Sequence, residues 1–400
     1  MRKFEKQAIA LTSICHGMVH VLELTFGIVL ISIADEFGTG LFTFGILANV
    51  FGLAFGLTAL PSGYLADRMS ERRLLILCCL GMGLSSIAVG LSPDVLLLGV
   101  ALSLLGVSLG ILHPTGSTFV ARIASQRGQG FGYFGIGGNL GVALGPLLAG
   151  VIASAFGWRA SYLIFSIPAL LLGAMFFLTL QTETSSKEQS STLINRDDAS
   201  LRPVILFLVM VFFAQAMNGL IYRGVVTFLP SYMAERATLG FLNVDGLLLA
   251  GSFTTIALIF GVAGIFLGGY LSDRIRPEIL ALMIALILTP LLLMMGSSYG
   301  PMLIVNASAF AFVFFMGQPV YNFMVADYSP DGWRGRMYGL SFFSAFGLGS
   351  FSATLLGYIA EKIDTKWIFW TLAGFELVVF MSTIVLLVKT RKRRQNRAFT

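Results

Sequence analysis

Charge is scarce in this 400-residue chain. Asp, Glu, Lys and Arg make up 12% of it, where a soluble domain carries roughly 25%. Hydrophobic residues reach 56% and the mean hydropathy is +0.85, which excludes an ordinary soluble globule. Cysteine is rarer still: Cys15, Cys78 and Cys79 are the only three, without CxxC spacing, so neither a disulfide framework nor a thiolate metal centre is implied. Histidine occurs only as His16, His20 and His113, all in the first half. No P-loop sequence is present to drive work with ATP, and no nucleophile–base spacing suggests an enzyme or a bound cofactor.

What the chain has instead is apolar runs of about 20 residues, recurring from Ile9 to Val388, each long enough to cross a bilayer as a helix. Twelve spans are read: 8–33, 41–66, 73–91, 94–121, 129–155, 159–180, 203–233, 245–271, 278–297, 300–327, 335–360 and 366–388. The fold class is therefore an all-α membrane protein. The charged start, Met1 to Lys6, precedes a run too long for a cleaved signal, so that run is a permanent first span.

The chain also repeats itself. Gly63-Tyr64-Leu65-Ala66-Asp67-Arg68 returns as Gly269-Tyr270-Leu271-Ser272-Asp273-Arg274, at an offset of 206. Arg127-Gly128-Gln129-Gly130-Phe131-Gly132 is echoed by Arg334-Gly335-Arg336-Met337-Tyr338-Gly339, at an offset of 207. Two landmarks at one spacing indicate a duplicated unit. A duplicated, membrane-embedded helical bundle is the architecture of a secondary transporter. The expected division is a six-helix half over 1–180, a cytoplasmic linker over 181–202, a second six-helix half over 203–388 and a basic cytoplasmic tail over 389–400.

The net charge of +6 reports topology rather than a nucleic-acid partner. With the spans as assigned, 21 of the 26 Lys and Arg residues fall on one side. The positive-inside rule makes that side cytoplasmic, with both termini there. Four lie opposite (Arg159, Arg236, Lys362 and Lys366), and Arg223 alone lies inside a span. The polar stretch Gln181 to Arg202 falls at the duplication seam, as a flexible linker would. The tail from Lys389 to Arg397 is read as an anchor beside anionic lipid.

The phrase Gly63-x-x-x-Asp67-Arg68, followed by Arg72-Arg73 and repeated from Gly269, resembles the loop 2–3 motif of the major facilitator superfamily. The resemblance spans the chain and implies two pseudo-symmetric six-helix halves, a bacterial inner-membrane location and a monomer. It implies cytoplasmic gate contacts from Asp67, Arg68, Arg72, Asp273, Arg274, Asp327 and Arg334, with Asp331 and Arg336 beside them. Physically, an acid ending one helix can cap and pair with its neighbours. The stretches around Leu112-His113-Pro114-Thr115, Gly137-Gly138-Asn139-Leu140-Gly141 and Leu144-Gly145-Pro146 are similar to the fosmidomycin-resistance family of drug efflux transporters. That family commonly has Asp one turn after the first histidine of span 1; this chain has His20. Gly132, Gly141, Gly145, Pro146 and Gly150 resemble the superfamily's span 5 antiporter motif, whose other reading is close packing of small residues.

Ionisable residues inside spans are costly, and here they cluster. On a helix His16, His20 and Glu23 lie at about 0°, 40° and −20°, on one face. His16 and His113 come out at similar depth, roughly 11 and 13 Å from the cytoplasmic side at the helical rise per residue. Three readings stand. A proton relay uses His16, His20 and Glu23. A transition-metal site uses His16, His20, Glu23 and His113. In the third, these groups merely bond neighbouring helices. In the second half Arg223, with Gln215, Asn218 and Tyr222 near it, suits an anionic group or a pairing with Glu23; a snorkelling role is the alternative. Gln318-Pro319 stands where His113-Pro114 does, with Tyr321 and Asn322 beside it.

The expected function is alternating-access transport across the lipid bilayer. In it, protons are exchanged for a small organic substrate, anionic or amphiphilic, which is exported. Proton coupling falls to Glu23, His20 and His16. Substrate contacts fall to His113, Arg223, Asn139, Asn218, Tyr222, Gln318 and Asn322. The rivals are a transition-metal transporter and a proton-coupled uptake system for organic anions.

Overall fold

A computed structural model describes residues 3–38, 41–179, 204–237, 246–330 and 332–398, and all regular structure among them is helical. The expected linker over 181–202 and Asp331 lie outside the described residues. The helices are α1 (Lys3–Phe37), α2 (Leu41–Ala66), α3 (Glu71–Gly90), α4 (Val95–Gly110), α5 (Leu112–Ile123), α6 (Arg127–Phe156) and α7 (Trp158–Thr179). Then follow α8 (Ile205–Arg236), α9 (Gly246–Ser272), α10 (Pro277–Ser297), α11 (Gly300–Tyr328), α12 (Arg334–Phe342), α13 (Phe351–Lys362) and α14 (Lys366–Ala398). Twelve spans long and apolar enough to cross a membrane result, matching the twelve read from hydropathy. Exposed Leu84, Leu96, Phe156 and Phe351 make large apolar faces, the natural surface of a chain solvated by lipid.

Two spans depart from single helices. Span 4 breaks at Ile111, between α4 and α5, three residues before Pro114. Proline has no N–H to give the carbonyl four residues back, and its ring crowds that carbonyl. Span 11 passes from α12 through a π-helical turn, Phe343–Leu348, before α13 resumes. The last helix continues to Ala398, so the basic segment after Val388 prolongs span 12 as helix. Turn chemistry is conventional where it is needed: Gly157, between α6 and α7, has φ +83, which a side chain would oppose.

The chain forms two compact units. The first comprises Met1–Ser125, Gly137–Pro203 and Ser329–Phe343; the second comprises Gln126–Ile136, Val204–Tyr328 and Ser344–Thr400. Each therefore contains one repeat's spans, less the opening turns of its own span 5 or span 11, plus the opening turns of span 11 or span 5 from the other repeat.

Within the first unit span 3 packs along span 6 and span 2 along span 4; in the second, span 9 packs along span 12 and span 8 along span 10. Glycine makes the close approaches possible. A Cβ on Gly110 would strike the Phe55 carbonyl, and one on Gly268 the Met316 carbonyl. Lipid supplies no hydrophobic drive between helices, so such contact packing is what holds them.

Candidate functional site

The intramembrane ionisable residues of the first unit converge as the helical wheel requires. His20 sits in the middle of a chain on α1. Its Nδ1 is 2.7 Å from Glu23 Oε2 and its Nε2 is 3.1 Å from His16 Nε2. When Glu23 is ionised, a singly protonated His20 donates from Nδ1, and its Nε2 accepts from His16 Nε2–H. His113, beside the Pro114 break, completes a triangle of rings. Its centroid is 4.9 Å from that of His16 and 5.3 Å from that of His20. Phe55 and Phe342 close over His113 at 5.6 and 4.9 Å. All four polar groups are buried, Glu23 the least, at 9% exposure. One ligating nitrogen from each of the three histidines falls within 4.8 Å of the others, close enough to converge on a metal ion.

Span 5 supplies the wall behind this chain. A Cβ on Gly138 would overlap the His16 ring. Cβ atoms on Gly137 and Gly141 would strike the carbonyls of Ser13 and Gly17, and one on Gly145 would lie 2.9 Å from the Val21 Cα. Gly150 faces only the Ile28 side chain, at 3.7 Å, and Gly132 packs instead near Gly269. Asn139 is buried beside Gly138. The second unit repeats the device, with a Cβ on Gly219 of span 7 striking the Ala345 carbonyl of span 11. Close packing alone thus accounts for Gly141 and Gly145. Cys15 and Cys79, from different spans, bring their sulfurs to 3.5 Å as free thiols.

The repeated phrase makes two matching caps. Asp67 accepts the backbone N–H groups of Gly335 and Arg336 at 2.6 and 3.0 Å, at the start of α12. Asp273 accepts those of Gly128 and Gln129 at 2.8 and 2.9 Å, at the start of α6. Helix N-termini offer unsatisfied N–H groups and positive potential, so a carboxylate there is doubly favoured. Arg336 adds an ion pair to Asp67 at 3.2 Å. The arginines of the phrase behave differently. Arg68 lies 4.0 Å over the Tyr64 ring and Arg274 3.5 Å over the Tyr270 ring. Arg72 donates to the Phe176 and Phe177 carbonyls near the end of α7. Asp327 is exposed, and Arg334 is partly buried at the first turn of α12.

In the second unit Asn218, Tyr222 and Arg223 are half-buried along span 7, and Gln318 is half-buried on span 10. Tyr222 packs edge-on to Phe315 and Phe346. Asn322 is buried, and a Cβ on Gly135 would lie 2.7 Å from Gln318 Oε1. One ionisable residue here escaped the sequence reading. Glu376, in the middle of span 12, is 1% exposed. It interacts with Tyr321, which shares a side-chain hydrogen bond with Asn218. Its signal was an acid flanked by Phe375 and Leu377 in a continuous apolar run.

The sequence profile described as Major Facilitator Superfamily matches residues 9–354. The chain belongs to the major facilitator superfamily. A solved structure agrees on the fold. The crystal structure of FucP in the outward conformation aligns over 96% of this chain and 99% of its own, with a TM-score of 0.72 at 16% identity. Relatives with named activities are nearer in sequence than FucP but stay below 30% identity. The probable sulfoacetate transporter SauU of Cupriavidus necator is 28% identical over 61% of this chain and 59% of its own. The probable L-galactonate transporter of Escherichia coli is 24% identical over 61% and 56% respectively. Multidrug resistance protein MdtG of Escherichia coli is 27% identical over 62% and 61%. The matches thus span less than two thirds of these relatives' lengths.

Proposed function

We infer that this superfamily transporter couples export of a small organic compound to proton entry, working as a monomer by alternating access. The observation that carries the reading is the buried Glu23–His20–His16 chain, with its links of 2.7 and 3.1 Å. A carboxylate joined to two imidazoles can hold a proton and pass it along one helix face. His113 and Asn139 in one unit, and Arg223, Asn218, Tyr222, Gln318 and Asn322 in the other, contact substrate. Asp67 and Asp273 act as cytoplasmic catches, with the arginines around them, released in the course of the cycle. The linker over 181–202 tethers the two sequence halves.

Relatives favour an organic substrate without choosing its class. MdtG is named for multidrug resistance, which supports efflux, as does the resemblance to fosmidomycin-resistance transporters. SauU and the L-galactonate transporter are named for organic anions, which favours a role for Arg223 and keeps proton-coupled uptake as the rival direction. The span 5 glycines do not decide direction, because packing explains them.

The test uses purified protein in liposomes with a trapped pH dye, challenged with phosphonate and organic-anion compounds. The expected result is proton movement in wild type that disappears in Glu23→Gln. Equal responses in both proteins would remove the coupling role from span 1. Proton flow in the same direction as the compound would replace export by uptake.

A second reading rests on the three histidine nitrogens lying within 4.8 Å of one another. Imidazoles at that separation suit zinc, cobalt or nickel as transported cargo. Adding Mn, Fe, Co and Zn salts to the same liposomes separates the two: a response to metals alone, lost in His20→Ala, favours the metal reading.

A further inference from the structure

We propose that Glu376, with Tyr321 and Asn218, is a second proton-binding site, built into the second unit and separate from the histidine chain of span 1. Glu376 is 1% exposed, and its Oε2 has no hydrogen-bond partner. Span 12 packs against spans 7, 9 and 11. The described titratable side chains of the packed elements are Tyr222, Arg223, Tyr232, Glu235 and Arg236 of span 7, Glu278 of span 9, and Tyr358 and Lys362 of α13, the part of span 11 that meets span 12. The phenol of Tyr321, on span 10, interacts electrostatically with Glu376.

An ionised carboxylate buried this deeply, with no ion pair among the described residues, is poorly stabilised, whereas the protonated acid has little to lose. A purely structural acid could be sealed there. This one has a way out. Tyr321 is buried and bonded to Asn218, which is half-buried beside half-buried Tyr222 and Arg223. Hydroxyl and amide therefore lead from the carboxyl toward the half-buried polar side chains of span 7. Intramembrane carboxyls are retained at a cost, and ion handling is the usual return. The proposal does not depend on Glu23 or the histidines and would stand if the metal reading proved correct.

The experiment uses full-length protein in liposomes and dicyclohexylcarbodiimide, an apolar reagent that attacks protonated carboxyls. Labelling is run at mildly acidic, neutral and alkaline pH and mapped by mass spectrometry. The adduct is expected on Glu376 at acidic and neutral pH, falling several-fold at alkaline pH, and absent from Glu376→Gln. An adduct of constant yield at every pH would mark a sealed acid and overturn the proposal. Infrared difference spectra of wild type against Glu376→Gln need no reagent access. A protonated-carboxyl band that disappears on alkalinisation supports the site, and its absence at every pH overturns it.

Discussion

Asp67 and Asp273, 206 residues apart in matching phrases, each accept two consecutive backbone N–H groups from the first turn of a helix. The two caps share no residue and lie in different compact units. Asp67→Asn and Asp273→Asn keep the shape but lose the charge and one acceptor. Hydrogen bonds to charged groups contribute ~1.5–3 kcal/mol each. Because Asn retains one bond, each variant is expected to lose about 2 kcal/mol. Thermal unfolding in detergent should show both variants destabilised and the double variant additive. Strong non-additivity would mean that the caps act as one device.

The glycines of span 5 make a sharper test because their surroundings differ. Gly138→Ala would push a methyl into the His16 ring, and Gly141→Ala would push one into the Gly17 carbonyl. Overpacking costs ~1–3 kcal/mol, more where backbone must shift. Gly150, part of the same motif, has only a flexible Ile28 methyl nearby, and Gly374 has open space. Expression yield and melting temperature should fall for the first two alanine variants. They should hold or rise for Gly150→Ala and Gly374→Ala, since alanine favours helix by ~1 kcal/mol over glycine. Uniform damage across the motif would show that the sequence pattern matters beyond packing.

The spans were legible because a bilayer admits few backbone solutions, and hydropathy reads them directly. Most boundaries of the twelve spans fall within a few residues of helix ends. The common face of His16, His20 and Glu23 follows from helical angle alone, and the similar depth of His16 and His113 from the rise per residue within the assigned spans. Pairings that depend on which helix passes nearby were not legible. Arg68 and Arg274 lie over tyrosines at the ends of the helices they follow, and Arg336 pairs with Asp67. The π-helical turn in span 11 left no period-breaking signal in Phe343–Leu348. Glu376 stands in plain sight in the sequence, but a lone acid carries no pattern there; its setting comes only from the fold, which brings Tyr321 and Asn218 to it.

Arg236 closes the far end of span 7 and gives a pH-dependent prediction. Its guanidinium, 7% exposed, meets Asp364 at 3.1 Å and Glu235 at 3.1 Å. The Asp364 carboxyl is held below its usual range, first by the Lys366 backbone N–H it accepts at 2.8 Å, then by the Lys366 and Arg236 charges. A lowered folded-state value means the carboxylate stabilises the fold above its unfolded pKa of about 3.9. That contribution is lost as pH falls through the folded value. Melting temperatures of wild type and Asp364→Asn should therefore differ at neutral pH and converge in acid. A gap that widened on acidification would contradict this assignment.

Glu23→Asp separates a hydrogen-bonded relay from a carboxyl that merely needs to be in the span. Aspartate keeps the charge but is one methylene shorter, so it cannot keep the present 2.7 Å contact with His20 Nδ1 without distorting the helix that carries both. Losing a hydrogen bond to a charged group costs ~1.5–3 kcal/mol, which is about tenfold or more in rate if the bond is used in the proton-transfer step. In the pH-dye liposome assay Glu23→Asp should retain the direction of proton movement but respond about tenfold more slowly, between wild type and a silent Glu23→Gln. A Glu23→Asp protein as fast as wild type would place coupling on the carboxyl alone and leave His20 and His16 as packing partners. An Asp variant as silent as Gln would mean that the span tolerates no gap between the carboxyl and the first imidazole, and the chain of three would have to be treated as one titrating unit.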